Sequence, residues 1–128
     1  MTHTPTDAAG PQATYEAFLR AGRFMIQRSR STGEYVFYPK VVAPSGATDL
    51  EWQAPSGLGT VYALTVNRDK AGSYNIALVE LDEGVRMIST IIGVESVPVG
   101  TRVTAEIEGT GDAARVVFRP LAGAEEAR

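Results

Sequence analysis

The spacing of apolar positions changes twice along the chain. Tyr15, Phe18 and Leu19 fall at helical spacing behind Thr14, a candidate N-cap, and Gly22 stands where a C′ glycine stops a helix. This predicts one helix of about two to three turns, whose apolar stripe packs on the rest of the domain or docks on a partner. Residues 24–27 and 35–38 are then short aromatic and β-branched runs around Ser31-Thr32-Gly33, the chemistry of a hairpin, with Pro39 ending the second strand. From Gly57 onward the period is that of strands. Candidates span 59–67, 74–81, 85–94, 102–108 and 115–119, separated by Gly-, Asp- and Pro-rich breaks. In the fourth, Val103, Ala105 and Ile107 alternate with Thr104, Glu106 and Glu108, so one face is buried and the other wet. Five such strands suit a small Greek-key barrel, with Gly59 and Gly93 at bends or bulges.

Composition narrows the chemistry more than the fold. A chain of 128 residues with 44% hydrophobic content fits one domain with a modest core. Residues 1–12 hold few apolar side chains and two prolines and read as a disordered tail, and 121–128 as a frayed one. The net charge of -3 lacks any basic face for nucleic acid. Neither a run of roughly 18 apolar residues nor a signal-peptide pattern is present, so a cytoplasmic location is expected. There is no Cys, which excludes disulfides and thiolate chemistry, and the only His is His3 in the tail, which excludes a histidine triad or metal cluster. Glu80, Asp82 and Glu83 are the nearest approach to paired carboxylates, but Asp82-Glu83-Gly84 has the composition of a tight turn. No phosphate loop or dinucleotide fingerprint occurs; the glycines at 57 and 59 open a strand and no helix follows them.

Several segments share a common likeness. They are Gln27-Arg28-Ser29-Arg30-Ser31-Thr32-Gly33 followed by Leu50-Glu51-Trp52, the helix around Tyr15-Glu16-Ala17-Phe18-Leu19, Ser56-Gly57-Leu58-Gly59-Thr60-Val61-Tyr62, Ile76 to Arg86, and Val117-Phe118-Arg119-Pro120. In their order along the chain, helix first, across roughly residues 15–120, these segments resemble the DUF35 acyl-CoA-associated family, in which a small zinc ribbon precedes an OB fold. Here the residues around the ribbon survive and its four cysteines do not. The resemblance implies a mainly β fold: an N-terminal helix and a metal-free, rubredoxin-like ribbon over 13–55, then a five-stranded OB-fold barrel over 56–120. Ser29, Thr32, Ala43 and Gly46 stand at the ligand positions, the last knuckle being about one residue short. Hydroxyls are poor zinc ligands beside thiolates, and Ala and Gly offer none, so no zinc or other cofactor is expected. Tyr35, Phe37, Tyr38, Val41, Val42 and Trp52 are then expected to hold the ribbon by packing.

The function implied by the resemblance is that of a non-catalytic accessory subunit. It would bind and support a thiolase-like or related acyl-CoA-processing enzyme and help complete its acyl-CoA channel, the chemistry residing in the partner. Arg28, Arg30 and Lys40 in or beside the ribbon, or Arg68 and Lys70 in the first barrel loop, are candidates for clamping coenzyme A phosphates or contacting the partner; the bland reading makes all five solubility residues. Trp52, the single Trp, is a core or interface anchor. The alternative is a free-standing OB-fold module that binds acyl-CoA or single-stranded nucleic acid, the latter disfavoured by the acidic balance.

Overall fold

The computed structural model describes residues 10–70 and 72–121. Helix α1 (Pro11–Arg20) opens earlier than the spacing predicted. Gly10 (φ 81°) caps it and Pro11 takes the first turn, where a missing N–H leaves nothing unpaired. Thr14, expected as the cap, lies inside the helix with its hydroxyl donating to the Gly10 carbonyl at 2.8 Å. Pro11 and Gln12 are therefore helical, not part of a tail; the remainder of both expected tails, 1–9 and 122–128, lies outside the described residues. At the other end Gly22 (φ 80°) stops the helix as predicted: its N–H donates to the Leu19 carbonyl and the Arg23 N–H to Phe18, both at 2.9 Å, a Schellman closure.

The chain divides into two compact units, one built from 10–55 with 107–115 and the other from 56–106 with 116–121. In the first, β1 (Ile26–Ser29) pairs antiparallel with β2 (Tyr35–Val36) on one side and β3 (Leu50–Gln53) on the other. β2 ends two residues before the predicted boundary because the neighbouring ladder is replaced by a side chain. Gln27, 4% exposed, accepts from the Lys40 N–H and donates to the Lys40 carbonyl, both at 2.7 Å. The expected aromatic cluster forms only in part. Phe37 packs edge-on against Tyr15 (5.4 Å between ring centres) and Trp52 against Phe18 (5.5 Å), so the apolar stripe of α1 is buried in its own unit. Tyr38, Val41 and Val42 are instead 49%, 69% and 46% exposed. The segment after Pro39 is a series of turns fixed through its main chain, and only the small Ala43 turns inward.

The second unit carries a five-stranded antiparallel sheet in the order β6 (Arg86–Ser89), β5 (Gly72–Leu81), β4 (Leu58–Asp69), β7 (Arg102–Glu108), β8 (Arg115–Pro120). Alternation on β5 places Asn75, Ala77, Val79 and Leu81 inward, over a core completed by Val61, Met87, Ile91, Val103, Val117 and Phe118. Curling brings the two ends of the sheet order together: Ile91 meets Phe118 in a parallel bridge, with the Phe118 N–H donating to Thr90 at 3.0 Å and the Ile92 N–H to Phe118 at 2.8 Å. This is the closure of an OB-fold barrel. β6 stops at Ser89, not Val94 as its apolar run suggested, because the Ile91 main chain is claimed by Asn75 and Gly93 takes φ 84°. Gly59 is not at a bulge; the register shift lies between Val61 and Ala63, leaving Tyr62 as the extra residue.

Candidate functional site

The two knuckles of the ribbon are held by oxygen and nitrogen, not by sulfur. Ser29 is fully buried; its hydroxyl donates to Asp49 Oδ1 at 2.7 Å and accepts from the Thr32 N–H at 3.1 Å. The Ser31 N–H donates to Asp49 Oδ2 at 2.8 Å. In the second knuckle the Gly46 N–H (φ 97°) donates to the Ala43 carbonyl at 2.8 Å and the Ala43 N–H to Ala47 at 2.9 Å. Ser45 Oγ donates to Glu34 Oε1 at 2.5 Å. The hydroxyl of Ser29, then the groups of Ser31, hold the Asp49 carboxyl below the usual carboxylate range. These residues do not fit a zinc ion: Ser29 is already committed to two partners, and Ala43 and Gly46 carry no donor side chain.

Beside the knuckles lies a cavity of about 210 Å³. Pro11, Val41, Leu50 and Trp52 supply its apolar wall and Gln27, Thr48 and Lys40 its polar one. Of the predicted site residues, only Lys40 and Trp52 meet here. Arg28 donates from Nε to the Gly33 carbonyl (3.3 Å) and lies over the Tyr35 ring (5.3 Å). Arg30 pairs with Glu51 at 3.2 Å. Arg68 and Lys70 belong to the second unit, at the β4–β5 turn, where Arg68 pairs with Glu95 at 3.0 Å.

The acidic cluster disperses into structural contacts. Asp82 receives a two-pronged Arg102 (2.7 and 2.9 Å), Glu80 pairs with Arg86 (2.9 Å), and Glu83 accepts from the Ser56 N–H (2.8 Å). The Arg102 hydrogen bond lowers the Asp82 pKa, the opposite of what a general acid needs. The outer face of β4, β5 and β6 was not anticipated as a feature. Tyr62, Tyr74, Ile76 and Ile88 are 44–61% exposed there, and the Arg86 guanidinium stacks on the Tyr62 ring at 3.8 Å.

Residues 52–108 match the model of the ChsH2 C-terminal OB-fold domain. A solved structure described as an Ltp2-ChsH2(DUF35) aldolase superposes with a TM-score of 0.75 at 26% identity, over 87% of this chain and 94% of that one. A DUF35-family protein of unknown function from Sulfolobus solfataricus has a TM-score of 0.64 at 16% identity, over 91% of this chain and 90% of that one, a likeness of fold. No curated protein matches. Among the described residues no helix is long and apolar enough to cross a membrane.

Proposed function

We propose that this chain is an OB-fold protein of the DUF35 family, as its likeness to the ChsH2 OB-fold domain and to two solved DUF35 structures supports, and that it is a non-catalytic, cytoplasmic accessory subunit of a thiolase-like or related acyl-CoA-processing enzyme. It binds and supports that enzyme and completes its acyl-CoA channel. The observation that carries this reading is the match over nearly the full length of a chain in a structure whose name joins ChsH2 to a second protein, Ltp2, as one aldolase. The chemistry of the side chains supports it. With no Cys, and with Glu80, Asp82 and Glu83 each engaged by a structural partner, acyl transfer falls to the other subunit.

Two surfaces divide the work. The apolar outer face of β4, β5 and β6 docks on the enzyme, since aromatic and Arg side chains of this kind anchor interfaces. The ribbon cavity contributes to the acyl-CoA channel, Lys40 placing a cation for a coenzyme A phosphate beside the apolar wall of Trp52 and Leu50. Arg68 and Lys70, at a barrel loop, are secondary phosphate contacts in this scheme.

The test is a pull-down of tagged protein from lysate of its own source, with mass spectrometry and an assay of CoA-thioester turnover by the separate and combined components. Near-stoichiometric recovery of a CoA-thioester enzyme, with turnover only when that enzyme is present, is the expected outcome. Turnover by the isolated chain would make it an enzyme. A protein recovered alone that binds acyl-CoA or single-stranded DNA in calorimetry would be a free-standing module.

A further inference from the structure

We infer that a pair of carboxylates, Asp49 and Glu34, takes the place of a metal ion as the clasp of the ribbon. A four-cysteine ribbon is closed by one ion that both knuckles share. Here two ties run between the same segments in opposite directions. Asp49, in the stretch leaving the second knuckle, reaches the first through Ser29 Oγ (2.7 Å) and the Ser31 N–H (2.8 Å). Glu34, in the stretch leaving the first knuckle, takes the hydroxyl of Ser45 in the second (2.5 Å). The Arg30 N–H adds a main-chain bond to the Asp49 carbonyl at 3.2 Å. Ser29, at the first ligand position, is thus a fully buried donor to a carboxylate, and the Thr32 N–H at the second position closes the turn on the same hydroxyl. Bonds to an ionised acceptor are about twice as strong as neutral ones, which suits them to a small unit with little core.

The clasp also positions the cavity. Thr48 and Leu50 flank Asp49 in sequence, Trp52 follows on the same strand, and all three line the cavity wall. The single Trp therefore reports on the clasp without a label.

The full chain is tested by thermal melts, elemental analysis and amide exchange. Wild type is expected to contain no stoichiometric metal and to keep its Tm in a strong chelator. Asp49→Ala should lower Tm by about 5–10 °C, shift Trp52 emission, and speed exchange of the Ser31 and Thr32 amides by about tenfold or more. Asp112→Ala, at a side chain 97% exposed, should change none of these. Should Asp49→Ala not fold, Asp49→Asn and Ser45→Ala each remove part of the clasp and must lower Tm by a smaller amount. One zinc per chain, a chelator-induced loss of Tm, or clasp variants that leave both Tm and the two amides unchanged would overturn the inference.

Discussion

Gly59 stands where β4 and β5 approach too closely for a side chain. A Cβ there would lie 2.9 Å from the Glu80 carbonyl oxygen and 2.9 Å from Val79 Cγ1. Neither neighbour can retreat cheaply, one being main chain in a paired strand and the other fully buried. Gly59→Ala is therefore expected to cost ~1–3 kcal/mol, an overpacking penalty, seen in urea unfolding as a lower midpoint at unchanged slope. Asn75 is the opposite case, a buried side chain whose removal leaves others unpaired. Its amide nitrogen donates to the Ile91 carbonyl (2.9 Å), while its oxygen accepts from the Ile91 N–H (2.8 Å) and the Thr90 hydroxyl (3.0 Å). Asn75→Leu keeps the volume but strands both main-chain groups of Ile91, for a loss on the order of 3 kcal/mol. If that substitution were neutral in the same unfolding assay, Asn75 would not be what holds the segment after β6 to the barrel.

Strands and loops are cross-linked by exposed carboxylates, and these set how the elements respond to pH. Asp49, Asp82 and Glu106 all have pKa values lowered in the fold, by hydrogen bonds from Ser29, Arg102 and Arg119 respectively. A depressed carboxylate contributes stability that is full above its unfolded pKa, about 4, and is lost as pH falls through the folded value. Tyr15 works in the other direction: burial, then the neighbouring Tyr38, raises its pKa. Its contribution is full below the unfolded value, about 10, and is lost as pH rises. Melts across pH are thus expected to be level between about pH 6 and 9 and to fall on both sides, with the alkaline limb reduced in Tyr15→Phe. β5 was legible because every second residue from Asn75 to Leu81 turns to the core; on β7, where Val103, Ala105 and Ile107 alternate with polar residues, only Val103 is buried, and β8 buries Val116, Val117 and Phe118 in succession. β6 was overextended since Ile91, Ile92 and Val94 look like strand, and nothing local reveals that Asn75, sixteen residues earlier, holds Ile91. The Gly10-Pro11 start of α1 read as tail because both residues are also loop formers. β3 escaped notice as a strand because Glu51 and Gln53 alternate with only two apolar residues, Leu50 and Trp52. The Asp49 clasp was invisible for the same reason as the Asn75 bonds: its partners lie far off in sequence, Ser29 twenty residues away.

At the scale of the molecule the proposed partner needs a surface to cover, and the outer face of the sheet of the second unit differs from an ordinary polar one. Outward positions on β5 are Tyr74, Ile76, Leu78 and Glu80, and Leu78 faces Ile88 on β6. The irregularity between Val61 and Ala63 turns Tyr62 to the same outer surface, where Arg86 lies on its ring while paired to Glu80. Ordinary monomer surfaces scatter single apolar residues; here Tyr62, Tyr74, Ile76 and Ile88, all at least 44% exposed, share three adjacent strands. Ile88 is 61% exposed, so Ile88→Asp should leave Tm within about 2 °C of wild type, as surface substitutions do. If the face binds the acyl-CoA enzyme, the same change buries an unpaired charge in the interface, and recovery of the partner should fall about tenfold or more. Tyr74→Ala should act likewise through lost contact. Ile91→Asp supplies the calibration: at 2% exposure it should unfold the barrel and lose the partner together. Full recovery of the partner with both Ile88→Asp and Tyr74→Ala would move the interface off this sheet, and the exposed Val41 and Val42 of the ribbon would become the surface to substitute next.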